Sequence, residues 1–411
     1  MAAHYAQLLG IGRPWQVKQA TLDLLHGKVE IAVAWDESAA VVCPTCGQEC
    51  PRHDHAPERT WRHLDVMQFT TLIRARLPRC ACPEHGVVTV QPPWAEPGAR
   101  FTLLFEAFAV EVIAACRSLT QAADLLELDW DSVLRIMARA VTRGLARRST
   151  AAVRQIGLDE KSFKRGQRYV SLMTDLDDPR VLEVVAGRDT ASAVALLETL
   201  PENQRAAVVA AAMDMGANFA AATRQVCPKA AIVHDRFHVS QHLNVAVDKV
   251  RREEHRRLLA RGDASLTGTK FLWLQGTLPE GERKLTFDEL CERNLKTARA
   301  WCHKETFAEF WAQDSAAHGQ RFFKDWYRTV ARSKLEPVKK VARMLQEHLV
   351  GLLTYFTYPI TNALTEGFNS KIQAIKADAR GFRNFANFRV RILFHCGKLD
   401  MAPVTQPSAA H

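Results

Sequence analysis

Four cysteine and histidine side chains near the start of the chain have the spacing of a zinc site. Cys43 and Cys46 stand two residues apart before a glycine, and Cys82 and His85 repeat that gap. Two such pairs supply the four thiolate and imidazole ligands that a tetrahedral structural Zn²⁺ requires. The 35 residues between the pairs suit a hairpin, so we predict a zinc ribbon. Three neighbouring side chains compete for these positions: Cys50, His53 and Cys80, the last in place of Cys82 or His85.

Three carboxylates further along the chain have the surroundings of a divalent-cation site. Asp159 and Asp214 each end an apolar segment with the character of a strand. An ionised carboxylate is costly to bury unless a cation or hydrogen bonds compensate it, and Mg²⁺ binds a few carboxylates while keeping sites for water and phosphate. Glu366 is the third candidate, because it shares the polar face of a predicted helix with Asn362 and Asn369.

A helical segment before residue 150 has the pattern of a helix-turn-helix. Two predicted helices are joined there by a turn of five residues. In that arrangement Ser132 and Arg135 open a recognition helix that faces the major groove, and Arg139 is available to phosphates. An ordinary three-helix bundle would give the same pattern, so both interpretations stay open on this segment alone.

The basic residues of the chain are concentrated in its second half. The 411 residues include 55 Lys+Arg and 45 Asp+Glu, a net charge of +10. Residues 1–150 hold 16 basic and 16 acidic residues, residues 151–240 hold 11 and 11, and residues 241–411 hold 28 and 18. A polyanion partner explains this excess because each neutralised phosphate releases counterions, whereas a solvated basic face is the alternative. The predicted DNA contacts after the third carboxylate are Lys371, Lys376, Arg380 and Arg383.

The elements that must position these residues change in type along the chain. Short strands surround the cysteines, helices follow, and then strands alternate with helices in the pattern of a mixed sheet flanked by helices. Residues 240–355 read as helices throughout, with most of their aromatic side chains in the core. The predicted strands are Val29–Trp35, Phe69–Leu77, Ile156–Asp159, Tyr169–Leu176, Val181–Val185, Val208–Asp214 and Ala230–His234. The predicted helices are Phe101–Ala115, Thr120–Leu126, Ser132–Gly144, Ser192–Leu200, Asn218–Val226 and Asn362–Ala377.

Composition excludes several classes of protein. Apolar residues make up 47% and charged residues 24%, which is ordinary globular usage and excludes a disordered or collagen-like chain. The longest apolar stretches fall short of the roughly 20 residues that a membrane span needs, and the first residues lack the features of a signal peptide. We therefore expect an intracellular protein without a membrane partner.

In combination, these motifs resemble the DDE transposases of bacterial insertion sequences, specifically the ISL3 family. The resemblance runs in the expected order over roughly residues 40 to 400. The matching motifs are Cys43-x-x-Cys46, Trp61–Asp65, Cys82-Pro-Glu-His85-Gly, Gly157–Glu160, Met213–Met215, Asp235-x-x-His238 and Asn362-x-x-x-Glu366-Gly-x-Asn369.

The resemblance implies a multidomain α+β fold. It comprises an N-terminal zinc ribbon, a helix-turn-helix, and an RNase H-like α/β catalytic domain that an all-helical insertion interrupts. The helical block lies between the second and third carboxylates, where the family pattern places the insertion. The expected divisions are a zinc-binding domain at 1–95, a helix-turn-helix domain at 96–150, the first catalytic part at 151–240, the insertion at 241–355, the last catalytic part with its basic helix at 356–400, and a tail at 401–411.

The resemblance also assigns roles to residues. It implies that Asp159, Asp214 and Glu366 hold two Mg²⁺ (or Mn²⁺) ions for in-line phosphodiester displacement, while Zn²⁺ is structural. Asp235 and His238 are expected near the active site, as are Asn362 and Asn369. A place for Asp235 among the metal ligands is the alternative.

The implied function is transposition. The protein would bind the terminal inverted repeats of its own element, cleave the element ends and join them to target DNA. Two ends require a homodimer or larger assembly on double-stranded DNA, and the location would be the bacterial cytoplasm, at the nucleoid. Two rivals are an inactive zinc and helix-turn-helix regulator derived from a transposase, and a stand-alone RNase H-like nuclease.

Overall fold

A computed structural model describes residues 5–7, 9–164, 168–275 and 280–403. The chain divides into two compact units. The first combines Met1–Arg148 with Leu399–His411, and the second is Ser149–Lys398. Among the described residues, no helix has the length and apolar character needed to cross a membrane.

Small β-sheets form the beginning of the first unit. A four-stranded sheet has the order β1-β2-β7-β6, a three-stranded sheet the order β5-β8-β9, and β3 pairs with β4. Strand β2 shows why a sheet forms here, because every second residue from Val29 to Trp35 is buried, as the pleat requires. The strands are β1 (Trp15–Asp23), β2 (Lys28–Trp35), β3 (Val41–Val42), β4 (Glu49–Cys50), β5 (Arg52–His55), β6 (Arg59–Arg62), β7 (Thr70–Ala75), β8 (Pro78–Cys82) and β9 (Gly86–Thr89).

Three helices complete the first unit, and each begins at a side-chain cap. They are α1 (Leu103–Ala115), α2 (Leu119–Leu126) and α3 (Trp130–Ala146). The caps are Thr102, Ser118 and Asp129, whose side chains accept hydrogen bonds from backbone N–H groups three residues later. Glu127 ends α2 in the left-handed conformation, which turns the chain sharply into α3.

A five-stranded mixed sheet is the centre of the second unit. Its order is β12-β11-β10-β13-β14, in which β10, β13 and β14 are parallel and the other pairs antiparallel. The predicted mixed sheet is confirmed, although β10 runs five residues beyond its predicted end because Glu160–Lys164 continues the hairpin with β11. The strands are β10 (Gln155–Lys164), β11 (Arg168–Asp175), β12 (Arg180–Ala186), β13 (Ala210–Met213) and β14 (Ala231–His234).

Helices cover this sheet and extend beyond it. Helices α4 and α6 share a core with one sheet face, whereas Ile360 packs with Ala210, Ala212 and Val233 of the other. The helices of the unit are α4 (Thr190–Glu198), α5 (Glu202–Ala207), α6 (Ala217–Val226), α7 (Arg236–Leu259), α8 (Lys270–Leu274), α9 (Glu282–Glu292), α10 (Lys296–Ala308), α11 (Ala316–Arg332), α12 (Glu336–Glu347), α13 (Leu349–Leu353), α14 (Ala363–Asp378) and α15 (Phe385–Cys396), with 3-10 turns at Glu309–Ala312 and Thr354–Phe356.

The helices between β14 and α14 enclose an aromatic core of their own. Trp273, Phe307, Phe310, Phe323 and Trp326 are all buried in it. The described residues of the predicted helical block at 240–355 are thus mainly helical and enclose an aromatic core, while residues 276–279 lie outside the described residues.

Candidate metal centres and nucleic-acid interface

The predicted zinc ligands converge in the first unit. Ligand atoms of Cys43, Cys46, Cys82 and His85 lie within 4.8 Å of one another. The Cys46 Sγ–Cys82 Sγ distance is 3.7 Å and the Cys82 Sγ–His85 Nδ1 distance is 3.5 Å. A tetrahedral zinc with bonds of about 2.3 Å to sulfur and 2.0–2.1 Å to nitrogen requires separations of about 3.8 and 3.6 Å. The spacing of these side chains therefore fits one Zn²⁺.

Backbone geometry and electrostatics favour thiolates at this cluster. Gly47 and Gly86 follow the two ligand pairs with φ of 74° and 68°, so each glycine allows the tight turn that brings its pair together. Hydrogen bonding to His85 lowers the pKa of Cys82 to about 6. Burial raises the pKa of Cys50, a competing candidate, to about 11, and its thiol donates to the carbonyl of Gln48 instead. The cluster is thus the better metal site.

The three predicted DNA contacts of the helical segment differ in their exposure to solvent. Ser132 is buried, and its hydroxyl donates to Asp129 while accepting from Arg135. Arg139 forms an ion pair with the buried Glu106, so its guanidinium holds helices α1 and α3 together. Arg135 remains half exposed at the start of α3. Of the three predicted residues, only Arg135 has the exposure that a base contact needs.

Strand register aligns three acids in the second unit. Gly157 of β10 pairs with Ala212 of β13, so Asp159 and Asp214 each lie two residues beyond that pair. Met213 pairs with His234 of the next parallel strand, so Asp214 and Asp235 each follow that pair directly. Because residues in register share a sheet face, the three carboxylates occupy one level of one face.

Helix α14 is fastened across that face by amide side chains. The backbone N–H of Asn362 donates to Asp235 at 3.0 Å, and its side-chain amide donates to the carbonyl of Leu158 at 3.1 Å. The amide of Asn369 donates to Asp159 at 2.5 Å. Both asparagines predicted from sequence therefore contact the acid-bearing segments.

Glycine at position 157 permits this close approach. A Cβ atom there would lie 2.2 Å from Oγ1 of Thr365 and 2.8 Å from Oδ1 of Asn362, closer than real Cβ contacts. Thr365 also shares a 2.7 Å hydrogen bond with Thr174 of β11. The absence of a side chain at position 157 thus lets α14 pack directly on the sheet, which brings Glu366 to the level of the aspartates.

Glu366 lies closest to Asp235 and His238. Ligand atoms of these three residues fall within 4.8 Å of one another. His238 Nδ1 is 3.3 Å from Oδ2 of Asp235, which is itself buried. From sequence Asp235 is expected near the site, with a place among the metal ligands as the alternative, and like Asp159 and Asp214 it follows an apolar segment. This shared position after an apolar segment could have identified Asp235 as a metal-ligand candidate equal to Asp159 and Asp214.

The acids interact electrostatically, and His238 is a basic side chain beside them in the described chain. Burial, and then the charge of Asp214, raises the pKa of Asp159. Burial raises the pKa of Glu366 as well, and the nearby charge of Asp235 adds to the effect. In the described part of the chain, no lysine or arginine forms an ion pair with any of these four acids. A cluster of partly buried carboxylates with one histidine and no lysine or arginine ion pair suits a divalent cation.

The basic residues after Glu366 lie on and beyond α14. Lys371 donates to the carbonyl of His395 at 2.7 Å, and Lys376 donates to that of Ser162 at 2.9 Å. Arg380 and Arg383 are exposed. Of the four predicted DNA contacts, Lys371 and Lys376 are therefore hydrogen-bonded to the protein backbone, and Arg380 and Arg383 are exposed to solvent.

Three family models match successive parts of the chain. Residues 39–85 match the zinc-finger of the transposases of IS204, IS1001, IS1096 and IS1165, and residues 90–141 match the helix-turn-helix domain of transposase family ISL3. Together with two groups of side chains that could hold a metal ion, these matches define a DNA transposase. Residues 156–392 match the ISL3 DDE transposase domain. The chain belongs to the ISL3 family of DDE transposases, enzymes that cleave and join DNA strands.

Curated relatives agree along most of their length. The chain is 25% identical over 368 residues to the transposase for insertion sequence element IS1557 of Mycobacterium tuberculosis, covering 83% of this chain and 82% of that protein. It is 22% identical over 368 residues to the transposase for IS1001 of Bordetella parapertussis, covering 86% and 88%. Neither the regulator nor the nuclease alternative gains support from these similarities.

Proposed function

We propose that this transposase binds the terminal inverted repeats of its element and cleaves and transfers DNA ends with an RNase H-like catalytic domain. The sheet order β12-β11-β10-β13-β14 supports that fold, since three meandering strands precede two parallel ones. The helical block between β14 and α14 supports an insertion between the second and third acids. We retain the domain divisions expected from sequence, with the catalytic parts on either side of that block.

The catalytic site comprises Asp159, Asp214 and Glu366. The observation that carries this assignment is the alignment of three acids at one level of the sheet, with the helix of Glu366 fastened above them. When bound there, two Mg²⁺ ions would activate the attacking oxygen and stabilise the leaving oxygen. The carboxylates would hold the ions, and Asn369 keeps Asp159 oriented through its amide.

Asp235 and His238 position the helix that carries Glu366. One carboxylate oxygen of Asp235 accepts from the backbone of Asn362 and the other lies against His238. Hydrogen bonding to Asp235 raises the pKa of His238, and this contact holds the Asp235 carboxylate against the start of α14. His238→Gln should therefore lower the rate of cleavage by roughly 10- to 100-fold, as is typical when a residue supporting the ligands is lost. It should leave DNA affinity unchanged.

Cleavage and joining of labelled element ends test the assignment. With Mg²⁺ present, Asp159→Asn, Asp214→Asn and Glu366→Gln should each reduce cleavage by roughly 10³-fold while DNA binding persists. Glu198→Gln, which removes an exposed carboxylate from the end of α4, is the matched control and should retain full activity. Full activity in all three acid variants would show that the triad is wrong. Cleavage without joining would favour a nuclease.

The first unit supplies recognition. We propose that α3 enters the major groove, with Arg135 reading bases, and that the structural zinc fixes the ribbon beside it in sequence. Arg135→Ala should weaken binding of the element end by about 1–3 kcal/mol and relax specificity, whereas a phosphate contact would lose affinity equally on all sequences. Assembly as a dimer on paired ends should appear as a concentration-dependent complex in sedimentation with DNA.

A further inference from the structure

A concave pocket opens at the end of α14. Its volume is about 800 Å³, within the range of ligand-binding clefts. Two phenylalanine rings, Phe163 and Phe382, and the basic side chains of Lys164, Lys376, Arg380 and Arg383 contribute to its lining. None of the residues that line the pocket is acidic. The lining thus combines positive charge with aromatic surface.

The cations of the pocket are available to a ligand. Lys164, Arg380 and Arg383 are exposed. Lys376 donates one of its three N–H groups to the carbonyl of Ser162 at 2.9 Å and keeps two for a ligand. Within the described ranges, none of the four basic residues forms an ion pair with a carboxylate. Their charge is therefore uncompensated by the protein.

The rings of Phe163 and Phe382 both pack against Phe388. Phe388 is fully buried, with its ring centroid 4.9 Å from that of Phe382 and 5.2 Å from that of Phe163. Phe382 remains half-buried at the pocket. A ring packed on one side and open on the other is a stacking platform for a nucleobase, and such stacking is a general mode of binding single-stranded nucleic acid.

A nucleotide uses both parts of this lining. Its phosphate would bind the cations and its base would stack on the ring. A simple anion such as inorganic phosphate would leave the aromatic surface without a partner, and an apolar molecule would leave the cations unpaired. The chemistry of the pocket therefore matches a nucleotide whose base has left the duplex stack.

The pocket continues the polar face of the catalytic helix. Gln373 lines it and lies seven residues after Glu366, which is two helical turns on the same face and about 10 Å along the axis. A DNA strand advances about 3.4 Å per nucleotide. We propose that the pocket binds an unstacked nucleotide of the DNA strand about three positions from the phosphate at the carboxylates. This inference rests on the proposed catalytic site.

Binding to overhang substrates tests the proposal without catalysis. The full-length protein is titrated, without added Mg²⁺, against one duplex carrying overhangs of about six nucleotides on the 3′ or the 5′ strand. One set of overhangs contains thymidines and the other abasic residues, so phosphate charge is equal and only the bases differ. Phe382→Ala and Phe382→Leu should weaken binding of a thymidine overhang roughly tenfold and leave abasic overhangs unaffected. Phe382→Tyr should restore wild-type affinity.

Basic variants separate phosphate contacts from base contacts. Arg383→Ala should weaken both kinds of overhang equally, whereas Lys284→Ala, which removes the same charge from an exposed site on α9, should change neither. Equal loss on both overhangs in Phe382→Leu, or no thymidine preference in the wild type, would overturn the nucleotide pocket. Asp159→Asn should keep the thymidine preference while losing cleavage, so failure of the catalytic assignment is detected independently.

Discussion

Glu106 and Glu366 both stand in the first turn of a helix, but their surroundings differ. Glu106 is buried and paired with both Arg139 and Arg143, which the same unit supplies. Glu366 lies beside the buried Asp235 and His238, and in the described chain it forms no ion pair with a lysine or arginine. A buried charge that the fold compensates itself holds elements together, whereas a group of uncompensated acids requires a cation from solution.

The metal-ligating clusters repeat the contrast. The zinc ligands come from two turns 35 residues apart in one small region, and their spacing fits a closed tetrahedral site. The acids Asp159, Asp214, Asp235 and Glu366 come from one strand, the ends of two others and a helix, and carboxylates are the ligands with which Mg²⁺ keeps sites for water and phosphate. The zinc ligands are suited to stabilising the fold and the acids to catalysis, and substitutions should distinguish these two roles.

Loss of a zinc ligand should give the largest effect. Cys46→Ser removes a thiolate from the tetrahedral set, and structural zinc supplies about 10–16 kcal/mol in zinc-dependent domains. We expect zinc content, measured by atomic emission, to fall from about one ion per chain to near zero, with unfolding of the N-terminal sheets. Cys50→Ser should retain the metal. Zinc loss in that control would show that the ligand set is wrong.

Glu106→Gln should be the next most destabilising change. It removes the buried partner of Arg143, whose side chain is only 8% exposed, while the ion pair of Arg143 with Glu96 stays in place. Because that charge is still compensated, we expect a loss of about 2–3 kcal/mol, below the full cost of an uncompensated buried charge, and hydrogen exchange of α1 and α3 should accelerate accordingly. Glu111→Gln on the exposed side of the same helix is the control. If both variants exchange alike, the arginine pairing contributes nothing to the fold.

His63 should make the first unit less stable in acid. Burial lowers the pKa of His63 to about 4, below the roughly 6.5 of an unfolded histidine. The unfolded chain therefore takes up a proton first, and stability falls as pH drops from about 6.5 to 4, by about 2 kcal/mol at pH 5. Unfolding at saturating Zn²⁺ should show this slope in the wild type and in the exposed-site variant His26→Gln. The slope should be smaller in His63→Gln.

Asp159 should give the opposite slope in the second unit, with the smallest effect. Because burial raises its folded pKa, its contribution to stability is greatest at low pH and is lost as pH rises through that pKa. Without added divalent cations, Asp159→Asn should be more stable than the wild type at pH 8 by about 1 kcal/mol, or roughly 2–4 °C in Tm. Added Mg²⁺ should raise the Tm of the wild type only. A variant that melts lower at pH 8 would contradict the uncompensated-acid account.

Much of the candidate site follows from local patterns. The C-x-x-C and C-x-x-H pairs identify the zinc ligands because a tight turn fixes their geometry. Asp159 and Asp214 stand out because acids rarely end apolar strands. Several short strands of the first unit were not predicted, since segments such as Val41–Val42 and Glu49–Cys50 are too short to show a period. Residues 165–167, between β10 and β11, and residues 404–411, within the predicted tail, lie outside the described residues.

Other features depend on contacts between distant segments. Arg139 has the sequence position of a phosphate contact, yet the fold brings it to Glu106, 33 residues away. Asp235 can position α14 because it accepts a hydrogen bond from the N–H group of Asn362, 127 residues later in the chain. Phe163 and Phe382 reach one pocket from different elements, so no local pattern joins them.

Ligand type and close spacing are local properties, so they identify the side chains able to bind metal or phosphate before any fold is known. Tertiary packing then sets which charges the protein neutralises internally and which stay open to a cation or DNA. Strand register and the placement of α14 set those distances, and both arise from packing between segments far apart in the chain.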